Sequence, residues 1–156
     1  MNRINAAYLA GFLDGDGSIY VRLKPNNTYR YKFQISPQIV FFQSKKEELF
    51  MDRLWQLIDK GYIRKRKDGI IELTIGDEDS IRTFIKVVLP YLRLKQKQAR
   101  LMINILNKRK SIKNGFDFLT VAKMIDEFKN LNYSKKRSQT SREVEKVLRT
   151  EGLLTP

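Results

Sequence analysis

Period-two alternation is the clearest pattern along this chain. From Ser18 to Lys24, Ile19, Val21 and Leu23 alternate with Ser18, Tyr20, Arg22 and Lys24, which predicts a strand with one apolar face. Pro25, Asn26 and Asn27 read as a turn. Tyr29, Tyr31, Phe33 and Ile35 then alternate with Arg30, Lys32, Gln34, Ser36 and Gln38, giving the return strand of a long hairpin. Pro37 lacks an N–H and points to an edge or a bulge. A second hairpin follows. Tyr62, Arg64 and Arg66 alternate with Ile63 and Lys65, Lys67-Asp68-Gly69 forms the turn, and Ile71, Leu73 and Ile75 return opposite Glu72 and Thr74; Asp-Gly is a strong hairpin signal.

Helical spacing fills the intervals. Asn5 is placed to cap a helix through Leu13, with Ala7, Ala10, Gly11 and Asp14 as a stripe of small or short side chains. Such a stripe suits either close approach of another backbone or a core helix with a glycine-rich end. Ser44 caps a helix from Lys45 to about Lys60, with Leu49, Phe50, Leu54, Leu57 and Ile58 as its apolar set. Asp77 or Asp79 starts another, stopped before Pro90. Ala99, Leu101, Met102, Ile105 and Leu106 mark the buried stripe of a helix from Lys95 to Lys108. Residues 111–118 read as a loop, 119–131 as a helix, and Ser141 as the cap of a last helix through Leu148. The class is α+β, in one domain of 156 residues with no long linker.

Charge changes the picture more than size does. Lys and Arg number 31 against 17 acids, a formal charge of +14. That excess is larger than solubility requires and favours a polyanion, nucleic acid ahead of a membrane surface. The polar faces of the first hairpin carry Arg, Lys, Gln and Ser and no acid from Ser18 to Gln38, the side chains that meet phosphates and base edges. No apolar run approaches the length of a membrane span, and the short patch Ala6–Leu13 does not read as a secretory signal.

Two absences prune the chemistry. The chain has no Cys and no His, which excludes zinc fingers, disulfides, thiol nucleophiles and imidazole bases. Catalysis must come from carboxylates, Lys or Tyr, with a hard metal ion held by oxygen. Asp14 and Asp16 stand between Gly11, Gly15 and Gly17. Residues two apart do not share a helix face, so one acid is expected to end the helix and the other to lie just past it. A helix-loop-helix calcium site fails, because its glycine would fall at Ile19 and its glutamate at Pro25. Asp117, Glu127 and Lys129 loosely match the D…ExK pattern of another nuclease class, but the helical period there does not suit it.

The stretch "YLAGFLDGDGS", followed at once by an alternating strand, resembles the signature of the LAGLIDADG homing endonucleases. "GSIYVRLKPN", "GYIRKR", "LPYLRLKQKQA" and "LNYSKKRSQTS" extend the similarity to the homodimeric, single-motif branch, whose members are often encoded in introns of organellar genes. The resemblance implies an αββαββα fold with a four-stranded antiparallel DNA-binding sheet and extra C-terminal helices from about residue 111. It implies a homodimer joined through Ala7, Ala10, Gly11 and Asp14, since one motif supplies half an active centre.

The resemblance also assigns roles. Asp16, with the Gly15 carbonyl, would bind Mg²⁺, Mn²⁺ substituting; Asp14 would cap or brace the helix end. Gln43 would position water, and Lys95 would stabilise charge at the scissile phosphate, the reaction leaving 3′ overhangs. Glu47 falls where the family carries an arginine, so Lys45 or Lys46 would have to serve there. DNA contacts would come from Tyr20, Arg22, Lys24, Asn26, Asn27, Tyr29, Arg30, Lys32, Gln34, Ser36, Gln38 and Val40 of the first hairpin. Tyr62, Arg64, Arg66, Glu72 and Thr74 of the second would add to them, with Ser134, Lys135, Lys136 and Arg137 on the phosphate backbone. An RNA maturase and a non-catalytic DNA-binding protein are the competing readings.

Overall fold

A computed structural model describes residues 1–134 and 139–155. Helix α1 spans Arg3–Asp16, strand β1 Gly17–Pro25 and strand β2 Phe33–Ser44. A single 3₁₀ turn, Lys45–Glu47, leads into α2, Glu48–Ile58. Strands β3, Tyr62–Lys65, and β4, Ile70–Ile75, precede α3, Glu78–Val88. The chain continues through α4, Gln96–Lys110; α5, Gly115–Asp126; α6, Phe128–Leu131; and α7, Ser141–Thr150. The sheet order is β1-β2-β4-β3, so the expected αββαββα arrangement with added C-terminal helices is present.

Several boundaries differ from the sequence reading. Asn2, not Asn5, caps α1, its side chain accepting from the Asn5 amide at 2.8 Å. The helix runs to Asp16 rather than ending between the acids, and Gly17 leaves it in extended conformation with its N–H on the Leu13 carbonyl. A Cβ at Gly17 would strike Leu13, so the exit can be this abrupt only at glycine. The second strand begins at Phe33; Tyr29 and Tyr31 lie in a loop, because backbone bonds close Asn26 onto Lys32. Pro37 sits in an inner strand rather than at an edge. It precedes the first β2–β4 pair, Ile39↔Ile75, so its missing N–H costs that ladder nothing.

In α2 the inward residues are Met51, Leu54 and Ile58, while Leu49 is 76% exposed; the 3₁₀ turn rotates the face away from the predicted stripe. Residues 115–118 belong to α5, not to a loop, because Asn114 caps them by accepting from the Asp117 amide at 2.9 Å. Thr140 rather than Ser141 caps α7, in a reciprocal box with Glu143.

The chain forms two compact units. The first comprises Met1–Ile19 and Pro37–Ala99. In it Leu9 and Leu13 of α1, Ile39 and Phe41 of β2, Ile71, Leu73 and Ile75 of β4, and Ile81 of α3 are all fully buried. Phe12 stacks on Phe41 at 5.5 Å, and Phe84 meets Phe41 edge-on at 5.9 Å. The second comprises Tyr20–Ser36 and the chain from Arg100 onward. Its core contains Val21 and Leu23 of β1, Met102, Ile105 and Leu106 of α4, Phe118, Val121 and Ile125 of α5, and Val144 and Leu148 of α7.

Candidate active site and nucleic-acid interface

The last turn of α1 separates its two acids by function. A helix rotates about 100° per residue, so side chains two apart point to nearly opposite sides. Asp14 turns inward, 9% exposed, and Asp16 turns outward. The Asp14 carboxylate accepts three successive backbone amides: Arg93 at 2.7 Å, Leu94 at 3.1 Å and Lys95 at 2.9 Å. Those amides lie just before α4, where a helix start leaves donors unsatisfied and favours negative charge. Asp14 is therefore a long-range cap for α4 and a clamp on the loop that brings Lys95 in.

Lys95 is 8% exposed. Its ammonium donates to the Asp14 carbonyl at 2.5 Å, one of the carbonyls that the end of α1 leaves free. Burial pulls its pKa below the ordinary lysine range, against the opposing charges of Asp14 and Asp16. On β2, Gln43 follows Ile39 and Phe41 at intervals of two, so it leaves the sheet on the core side. There its side-chain amide donates to Asp16 Oδ2 at 3.2 Å. Asp16, Gln43 and Lys95 are thus brought to one corner from three elements. Gly15 is exposed in the same helical turn. Glu47 is exposed at the start of α2 and makes no capping bond, and Lys45 and Lys46 are exposed beside it.

The corner suits a hard divalent cation as half of a site. Asp16 offers an exposed carboxylate, the right donor for Mg²⁺. Among the described residues no group of three or more acids, histidines or cysteines is placed to enclose a metal.

The second hairpin is organised by Glu72. Its strand register sets Glu72 opposite Arg64 and Thr74 opposite Tyr62. Glu72 is 7% exposed and accepts from Arg64 Nε at 2.9 Å and from Arg66 Nη1 at 3.0 Å. Arg66 also bonds Asp68 in the turn at 2.5 Å. One buried carboxylate therefore holds two exposed guanidiniums in fixed directions. On the first hairpin, the Arg22 guanidinium lies 5.0 Å from the centre of the Tyr20 ring, two positions back on the same face.

The sequence model of the LAGLIDADG endonucleases matches residues 9–105. The chain belongs to this family. It is 39% identical over 142 residues to the DNA endonuclease I-CreI of Chlamydomonas reinhardtii, covering 90% of this chain and 86% of that protein. To the DNA endonuclease I-CvuI of Chlorella vulgaris it is 30% identical over 151 residues, covering 97% and 94%. A crystal structure of the homing endonuclease I-CvuI bound to the I-CreI target, in the presence of Mg and with the DNA not cleaved, superposes with a TM-score of 0.92 at 29% identity, covering 98% of each chain.

Family-derived positions fall into groups. Arg22, Lys24, Asn27, Tyr29, Arg30, Tyr62, Arg64, Arg66 and Ser134 are exposed. Tyr20, Asn26, Lys32, Gln34, Ser36 and Gln38 are half-buried. Val40 of β2 and Glu72 and Thr74 of β4 are buried, both strands being inner ones. Asn26 is engaged inside its own loop, accepting from the Thr28 amide at 3.0 Å and its hydroxyl at 2.7 Å. Lys32 pairs with Glu151 at 3.4 Å. Lys135, Lys136 and Arg137 lie outside the described residues. On α1, Ala7 and Gly11 are exposed, together with Ile4 and Tyr8, whereas Ala10 and Asp14 turn into their own chain. The clamp by Glu72 is not among the roles that the sequence suggests, although counting outward from the three-residue turn Lys67-Asp68-Gly69 pairs position 64 with 72.

Proposed function

We propose that this chain is a site-specific double-strand DNA endonuclease of the homing type, acting as a homodimer with Mg²⁺, and that Mn²⁺ replaces it. The observation that carries this reading is Asp16: an exposed carboxylate at the end of α1, hydrogen-bonded to Gln43 and near buried Lys95, in a strongly basic chain. A bound divalent ion would polarise the phosphodiester and make water a better nucleophile. Asp16 and the Gly15 carbonyl hold it. Gln43 orients the attacking water, and Lys95, whose ammonium has donors beyond the one given to Asp14, stabilises charge growing on the phosphate.

A second copy completes the site. The exposed face of α1 presents Ile4, Ala7, Tyr8, Gly11 and Gly15, and among the described residues nothing would crowd a Cβ at Gly11 or Gly15. Two such faces meeting at a two-fold axis bring two Asp16 side chains together and read a near-palindromic duplex. The exposed side chains of the two hairpins read the major groove, and we read residues 1–156 as one endonuclease domain.

The test uses the I-CreI target duplex, to which the relative I-CvuI binds, and duplexes selected from a randomised pool. Wild-type protein with Mg²⁺ is expected to cut both strands, and Asp16→Asn to bind without cutting. Tight binding by wild type with every selected duplex left intact would make the chain a non-catalytic binder instead.

A further inference from the structure

We propose that helices α5 and α7 set the base preference of the first hairpin without touching DNA, Phe118 and Glu151 acting as positioning residues for the tip loop Asn26–Lys32. The inference rests on the DNA-reading role given above to that loop.

The loop is closed on itself. The Asn26 amide donates to the Lys32 carbonyl at 2.8 Å, Tyr29 N–H to the Asn26 carbonyl at 3.1 Å, and Lys32 N–H to the Tyr29 carbonyl at 2.9 Å. Lys32 has φ +63°, a left-handed conformation uncommon outside glycine. Two neighbouring residues of the loop then reach α5 and the end of α7. Tyr31 lies 5.1 Å from the Phe118 ring, tilted by 32°, and Lys32 pairs with Glu151 at 3.4 Å. The Arg30 guanidinium lies 5.3 Å from the centre of the same Tyr31 ring.

Arg30, Tyr31 and Phe118 thus form a column. Its outer end is an exposed guanidinium, and its inner end is a ring 4% exposed within α5. The Tyr31 hydroxyl is enclosed and has no hydrogen-bond partner among the described residues, while its ring meets Phe118 and Arg30. The base of the column is itself rigid. A Cβ at Gly115, the first residue of α5, would strike the Leu153 carbonyl just past α7, so α5 and the segment carrying Glu151 lie in tight contact. A free tip would spread Arg30 over many rotamers; a braced one concentrates it in a few before DNA arrives.

The test selects bound duplexes from a randomised pool and compares base preferences, position by position, for wild type and variants. Arg30→Ala first identifies the positions that the tip reads. Phe118→Leu and Glu151→Lys are each expected to flatten preference at those positions by about tenfold, while positions read by Arg64 and Arg66 keep theirs. The conservative change Glu151→Asp, which keeps the carboxylate facing Lys32, is expected to keep the wild-type profile, and Tyr31→Phe to leave it unchanged. An unchanged profile in Phe118→Leu and Glu151→Lys overturns the inference. So does a uniform loss at every position, or a Glu151→Asp profile as flat as that of Glu151→Lys. A wild-type protein that enriches no sequence overturns the DNA-reading role of the loop itself, and is distinguished by that result from a sharp profile that ignores α5 and α7.

Discussion

The corner at the end of α1 and the basic hairpins fix their charges by opposite means. At the corner, charge is buried and the main chain holds it: three consecutive amides meet Asp14, and a carbonyl meets Lys95. On the hairpins, charge is exposed and side chains hold it: Glu72 takes Arg64 and Arg66, and Tyr20 underlies Arg22. Main-chain bonds survive most substitutions around them, whereas a side-chain brace changes with one codon.

The largest expected effect breaks the corner. Asp14→Ala strands three amides and leaves Lys95 without its nearest carboxylate, for a loss of about 3–5 kcal/mol measured by urea unfolding. Asp14→Asn keeps one acceptor and should lose less. Next is Lys95→Met, expected to lower the cutting rate by about 10²–10³-fold in single-turnover assays while leaving the fold intact. It also sharpens the electrostatic side of the comparison. Because burial depresses Lys95 in the folded chain, the unfolded chain holds that proton more tightly. Stability then rises with pH between the folded pKa and the ordinary value of 10.5, with the penalty fully present below that window. Urea midpoints at neutral and alkaline pH should therefore move in favour of wild type relative to Lys95→Met as pH increases; parallel profiles would contradict the buried ammonium.

Effects on the hairpins should be smaller and should fall on selectivity. Glu72→Ala frees Arg64, leaves Arg66 only its bond to Asp68, and raises the net charge. Discrimination at the bases they face is expected to drop by about 1–3 kcal/mol, with non-specific affinity unchanged or higher in competition binding. Lys24→Ala, which removes one exposed charge, should leave selectivity alone and reduce the slope of log affinity against log salt by about one.

The fold was legible wherever one local pattern decided the outcome. Alternation located both hairpins, Asp-Gly placed the second turn, and Asp77 does cap α3, accepting from the Ser80 amide at 2.8 Å. Misreadings arose where a distant partner decided. Tyr29 and Tyr31 continue the alternation perfectly in sequence, yet Asn26 closes its loop onto Lys32, and Tyr31 is drawn to Phe118. Leu49 has the right spacing for the core but lies in the first turn of α2, where it faces outward and Met51 turns inward instead. For the site, the motif pointed to Asp16, Gln43 and Lys95, and the structure gathers them. What spacing did not reveal was the work of Asp14, whose partners lie some eighty residues downstream. Nor did composition show that Glu72 holds Arg64 and Arg66.

The central claim is that two chains meet through α1 and each contributes one Asp16 to cutting. Wild-type and Asp16→Asn chains refolded together at varied ratios test it directly, with double-strand cleavage followed against the wild-type fraction. Paired chains predict a dependence on the square of that fraction, so an equal mixture should retain about one quarter of the activity. A linear decline, with an equal mixture retaining about half, would show that each chain cuts on its own and would contradict the account.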